Sequence, residues 1–216
     1  MTIRDTVVVL ALLLRLAFAG PGHAGDAQPS SNARALLADL RFPADRPLAY
    51  VERQRSPMFK RAVESRGRVW RTADGALYMQ VETPRQELRC IEAGSLTILR
   101  PEQAPPPATV LPAAAFTRIR HQFRLTPQRP GQLLLLTASA LLNGDLAWVL
   151  QHFELSAETE REPGTAQSLV LQPKDPGTRQ GMANITLSIE GDQLRTVAAD
   201  RGRRGSLSLD FWPLLP

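Results

Sequence analysis

Apolar and polar residues alternate along most of the chain. Leu77, Met79 and Val81 occupy every second position, as do Phe153, Leu155 and Ala157, then Leu169 and Leu171, then Ile185, Leu187 and Ile189, and finally Leu207, Leu209 and Phe211. A period of two sends successive side chains to opposite faces of an extended chain, so these runs predict half-buried β-strands. Segments 48–55 and 64–71, the second carrying Val69, flank Ser56-Pro57, while Asp74-Gly75 and Ala93-Gly94 mark tight turns between further strands. Segment 116–125 alternates most cleanly, with Ile119, His121, Phe123 and Leu125 on one face and Arg118, Arg120, Gln122 and Arg124 on the other. Two segments break the period. Ser30 or Ser31 caps a helix over 32–40 with Leu36, Leu37 and Leu40 on one side. Segment 132–142, containing Leu135 and Leu141, is so apolar that a helix there must be covered on more than one side. Asn143-Gly144 ends it, and Asp145 caps a short turn through Leu146, Val149 and Leu150. About ten one-sided strands and two apolar helical pieces predict a mainly-β (α+β) fold, a curved antiparallel sheet or half-barrel with helices covering its concave face.

The first 24 residues stand apart. Arg4, an apolar run over 7–19 and then Gly22-His23-Ala24 read as a secretory signal peptide cleaved after Ala24 or after Ala19, since the run falls short of the ~20 residues that span a bilayer, with an uncleaved anchor as the alternative. Residues 25–216 then form a single domain. With 43% hydrophobic and 22% charged residues, that domain has the material for a packed core and not the composition of a disordered chain. The lone cysteine, Cys90, excludes a disulfide framework and a thiolate metal cluster.

The formal net charge is +5, and every cation except Lys60 and Lys174 is an arginine. These arginines alternate with apolar positions on strands and lack interleaved surface aromatics. They read as solvated outer faces, with no nucleic-acid partner and at most a transient contact with anionic membrane surfaces. Arg201, Arg203 and Arg204 crowd one hairpin tip. Catalytic chemistry finds little support. His121 lies on the apolar face of its strand and is expected to be a buried structural histidine, whereas His152, at a helix-to-strand junction, is expected to be exposed. Neither belongs to an H-E-x-x-H motif, there is no G-x-S-x-G elbow or P-loop, and Glu154, Glu158, Glu160 and Glu162 surround a turn as solvated charge. The expectation is no enzyme, no metal and no cofactor.

Several short motifs occur in a telling order. Val51-Glu52-Arg53-Gln54 follows the opening helix, then come Glu64-Ser65-Arg66-Gly67-Arg68-Val69 and Thr83-Pro84 with Gln86. Leu141-Leu142-Asn143-Gly144-Asp145 precedes Phe153-Glu154-Leu155, and Leu169-Val170-Leu171-Gln172-Pro173-Lys174-Asp175 leads to the final hairpins. This ordered set resembles the LolA-type periplasmic outer-membrane lipoprotein carriers of Gram-negative bacteria, in a divergent branch. The chain departs from the family pattern at 71–78, where an R-P-x-x-F-R-W stretch is usual, and at 92–96. The resemblance implies a periplasmic, exported, monomeric carrier without cofactor. Such a carrier takes acyl chains of a lipoprotein or another lipid from an inner-membrane donor complex toward an outer-membrane acceptor. An alternative of the same fold is an adaptor that senses lipid or a partner without transport. The implied cavity is lined by Val69, Leu77, Met79, Val81, Ile119, Phe123, Leu125, Leu135, Leu141, Phe153, Leu155, Leu169, Leu171, Ile185, Leu187, Leu207 and Leu209, with helix 132–142 as plug and lid. The physics agrees with such a role. A C16 chain holds about 15 methylenes at ~0.8 kcal/mol each, about 12 kcal/mol of apolar burial, and will not cross water unaccompanied.

Overall fold

A computed structural model describes residues 31–214 apart from 41, 43, 45, 104–108, 110 and 159–166. The signal segment and most of the Glu-rich turn after Glu158 lie outside the described residues. Among the described residues eleven strands, all paired antiparallel, form one open curved sheet. β1 (Leu48–Arg55), β2 (Val63–Arg71), β3 (Leu77–Thr83), β4 (Glu87–Glu92), β5 (Ser95–Pro101) and β6 (Phe116–Arg124) make one meander. β7 (Phe153–Glu158), β8 (Gln167–Pro173), β9 (Asn184–Glu190), β10 (Gln193–Asp200) and β11 (Ser206–Pro213) make a second. The two meet where β1 pairs with β11, from Leu48 opposite Pro213 to Arg55 opposite Ser206. The strand order β6-β5-β4-β3-β2-β1-β11-β10-β9-β8-β7 therefore puts β6 and β7, consecutive in the chain, on opposite edges.

The chain must cross from one edge to the other between β6 and β7, and it does so as two helices, α2 (Pro130–Asn143) and α3 (Leu146–His152). α1 (Ser31–Asp39) and the short α4 (Pro176–Arg179) sit against β7 and β8 respectively. Local chemistry sets the bounds of the crossing. Pro130 occupies the first turn of α2, where a missing N–H costs nothing. Gly144 closes it in the left-handed conformation (φ 69°), its N–H reaching Ala140 and Leu141 carbonyls. The Asp145 carboxylate then accepts the Trp148 N–H at 3.0 Å to start α3. Asn143 Nδ2 donates to the Gly75 carbonyl at 2.9 Å and ties the end of α2 to the β2–β3 turn.

The apolar side of the sheet and the helices share one core. Ala33 and Leu37 of α1, Leu133, Leu134, Ala140, Leu141 and Leu142 of α2, and Val149 of α3 pack with inward residues of strands from both meanders. α2 carries no charged residue, and its buried Thr137 returns its hydroxyl to the Leu133 carbonyl at 2.8 Å. The other face of β3 and β4 is covered by the segment after β5, where Gln80 Nε2 donates to the Leu111 carbonyl at 2.7 Å.

Candidate acyl-binding face

The concave face is built by strand parity. On each strand every second residue points inward, and neighbours in register share that side. Leu77 lies opposite Ile91, Ile91 opposite Leu96, and Val69 opposite Met79. On the other half Leu155, Leu171 and Ile185 align, as do Leu169 and Leu187, and Val197 and Leu209.

Most of the residues expected to line a cavity are brought together. Val69, Leu77, Met79, Leu125, Leu141, Phe153, Leu155, Leu169, Leu171, Ile185, Leu187 and Leu209 belong to a single buried cluster. Leu135 and Leu207 pack half-buried at its margin, and Val81 is buried outside it. Ile119 and Phe123 are different, being 60% and 39% exposed. β6 has a partner on one side only, and two irregularities in its pairing with β5 disturb the alternation that the sequence displays so clearly. His121, on the same edge strand, is exposed and not buried. His152 is half-buried instead of free, its Nδ1 at 2.9 Å from the Trp148 carbonyl and its ring stacked on the Trp148 indole at 4.2 Å.

The apolar face turns charged toward one end. The inward parity of Tyr50 continues to Glu52, that of Ile91 to Arg89 and Glu87, and that of Leu96 to Ile98 and Arg100. Arg89 donates to Glu52 and to Glu87, each at 2.9 Å, and Arg100 lies 3.7 Å from Glu87. Burial opposes the Arg89 charge, but Glu52, Tyr50 and Glu87 outweigh it and hold its pKa above the ordinary arginine value. Burial likewise pushes the Tyr50 phenol well up, against a smaller opposing pull from Arg89. The Tyr50 hydroxyl has no hydrogen-bond partner among the described residues. Sequence reasoning missed this group. The signal was present in Tyr50-x-Glu52 and Glu87-x-Arg89-x-Ile91, where the charges share the parity of core residues.

What this arrangement can do follows from its parts. A continuous hydrocarbon face with a half-buried ion network at one end can hold an apolar chain by burial and exclude water by packing. Among the described residues there is no group of three or more His, Cys, Asp or Glu placed to hold a metal ion. Cys90 points away from this face, and burial pushes its thiol up while a hydrogen bond from Tyr78 lowers it. Two open grooves, of about 420 and 340 Å³, are lined chiefly by residues of the other face, among them Arg66, Arg68, Trp70 and Gln80.

No curated protein matches the chain. Among solved structures it is similar to a LolA superfamily protein from Nitrosomonas europaea (14% identity, 88% of this chain and 96% of that one, TM-score 0.38). It is also similar to LprF from Mycobacterium bovis (12% identity, 85% and 93%, TM-score 0.40). A third similarity is to the MucA/MucB complex of Pseudomonas aeruginosa (14% identity, 84% of this chain and 56% of that one, TM-score 0.39). The family model described as "Outer membrane lipoprotein carrier protein LolA-like" matches residues 25–209, nearly the whole described chain, and the protein therefore belongs to the LolA-like family.

Proposed function

We propose that the protein is a periplasmic carrier that takes up acyl chains of a lipoprotein or another lipid on its concave face and passes them toward the outer membrane. The observation that carries this reading is the crossing between the sheet edges. It consists of two helices whose buried sides, Leu133, Leu134, Leu141, Leu142 and Val149, already cover the apolar strands as an acyl chain would. Displacing them exchanges one hydrocarbon contact for another, so little net free energy separates the empty state from the loaded one. A carrier needs that balance, because it must release what it binds. Family membership and the signal-like segment at 1–24 support the export and the class of cargo.

Native mass spectrometry of the protein purified from membrane extracts, paired with titration of a fluorescent acyl probe, tests the proposal. Co-purified lipid and micromolar probe binding are the expected results. Leu135→Glu, at the half-buried margin of the core, should abolish probe binding while the far-UV circular dichroism stays unchanged. Absence of both lipid and probe binding sinks the carrier reading. It would favour the adaptor reading, which the filled concave face also fits.

A further inference from the structure

We propose that the end of the sheet bearing the β1–β2 and β10–β11 turns is a docking edge for anionic phospholipid membrane, with Met58 and Phe59 as the inserting residues. The proposal does not rest on the concave face carrying cargo.

The turn is built to display these two side chains. Ser56-Pro57-Met58-Phe59 is a hydrogen-bonded reverse turn, with the Phe59 N–H donating to the Ser56 carbonyl at 3.0 Å. Ser at its first position and Pro at its second are the residues such a turn favours. The Met58 N–H also reaches the Ser56 hydroxyl at 3.3 Å. Met58 is consequently 88% exposed and Phe59 54%, with Val63 exposed just behind them. Two adjacent large apolar side chains held in water on an ordered turn call for an explanation that a scattered surface leucine does not.

Charge supplies the partner. β1 ends at Arg55 opposite Ser206, where β11 begins, and Thr83 at the end of β3 lies opposite Arg66 of β2. The segments 56–62, 84–86 and 201–205 therefore project from the same end of neighbouring strands. Two of them touch, since a Cβ on Gly205 would lie 2.0 Å from the Arg55 carbonyl oxygen. Together they expose Arg55, Lys60, Arg61, Arg85, Arg203 and Arg204. The carboxylates of this end are engaged. Glu64 is held by Arg53 and Arg66, Glu82 by Arg68, Asp200 accepts the Gly202 N–H, and Glu102 accepts from Thr117. The β2–β3 and β9–β10 turns at the opposite end carry Asp74 and Asp192 instead. A polyanion alone would engage the cations and leave Met58 and Phe59 in water. An anionic bilayer accepts both, the cations at its headgroups and the apolar pair in its interface.

The test is flotation of the purified protein in its processed form, residues 25–216, with vesicles of phosphatidylcholine and with mixed phosphatidylglycerol–phosphatidylcholine vesicles, at low and high salt. Binding to the mixed vesicles only, weakened by salt, is expected. Met58→Ser with Phe59→Ser should lower that binding by about tenfold. Each neutralisation among Lys60→Gln, Arg61→Gln, Arg203→Gln and Arg204→Gln should lower it about fivefold. Because all six side chains are exposed, the variants should keep the parent's circular dichroism and thermal midpoint. In Phe59→Trp, brominated phosphatidylglycerol should quench a fluorescence component that the parent's three tryptophans do not contribute. Equal binding to both vesicle types, binding to neither, or full binding by the double serine variant would each overturn the proposal. The last would move the contact elsewhere on the molecule, and binding to neither would leave a protein as the partner of this edge.

Discussion

Tyr50 shows how a single side chain couples the two characters of the concave face. Its ring belongs to the hydrocarbon core, while its hydroxyl sits beside the Glu52–Arg89–Glu87 network without a partner among the described residues. Burying an unmade hydrogen bond costs ~1–3 kcal/mol, so Tyr50→Phe should leave stability unchanged or raise it by about 1 kcal/mol in urea unfolding. The sign of the pH effect follows from the same burial. The phenol's pKa is raised in the folded protein, so the neutral form is favoured there and its contribution is intact below the unfolded-state value near 10. Above that value the unfolded chain ionises first and stability falls. Tyr50→Phe should remove that part of the alkaline loss, seen as a higher midpoint in a pH titration of unfolding between about pH 9 and 12. At this scale the sequence was half legible. Parity placed Leu77, Met79, Leu169 and Ile185 correctly, but the same parity placed Glu87 and Arg89 inside, where polarity alone assigns them to solvent. His121 failed for the opposite reason, because alternation says nothing about whether a strand has a neighbour to bury its face.

Among the elements, the crossing helices matter most. α2 was readable to within two residues, 132–142 against the observed Pro130–Asn143, because a run without charges between Pro130 and Gly144 has few other solutions. Its destination was not readable, since it depends on β6 and β7 being the two edges of the sheet, a long-range fact with no local signature. The β6 irregularities are likewise set by pairing with β5 and not by the evenly alternating sequence. The tether from Asn143 to the Gly75 carbonyl fixes where α2 ends over the sheet. Asn143→Ala should cost about 1 kcal/mol in thermal unfolding and raise binding of an acyl probe or of the dye ANS, because it loosens the cover without removing apolar surface. Unchanged dye binding would mean that the helix does not gate the face.

On the scale of the whole molecule, burial is uneven. Strands β8 and β9 contribute Leu169, Leu171, Ile185, Leu187 and Ile189, all exposed by 1% or less, whereas β6 is exposed along nearly its whole length. Local opening is easiest where few apolar contacts and one hydrogen-bonded neighbour hold a strand. Amide hydrogen exchange should therefore protect β8 to β10 most strongly and release β6 orders of magnitude sooner. Equal protection across the sheet would show that it opens as one unit. The half-barrel class and the helical cover were legible in sequence because they follow from one-sided strands and an all-apolar helix. The seam between the meanders was not, because β1 and β11 lie at opposite ends of the chain and the ion pair across their join, Arg53 with Asp210, has no local signature in the sequence.

That seam has a consequence for how the chain comes into being. Each meander forms from neighbours in sequence, but β1 must wait for β11, which is made last, to complete its pairing. During synthesis from the N-terminus, β1 is thus an open template onto which a second nascent chain could add itself. Arg53, on the outward face of that strand, binds Glu64 on the neighbour already present and Asp210 on the neighbour still to come. A charge that repels strangers at an unfinished edge and later finds its own acid across the join acts as a placeholder, keeping the site vacant until the right end of the same chain arrives.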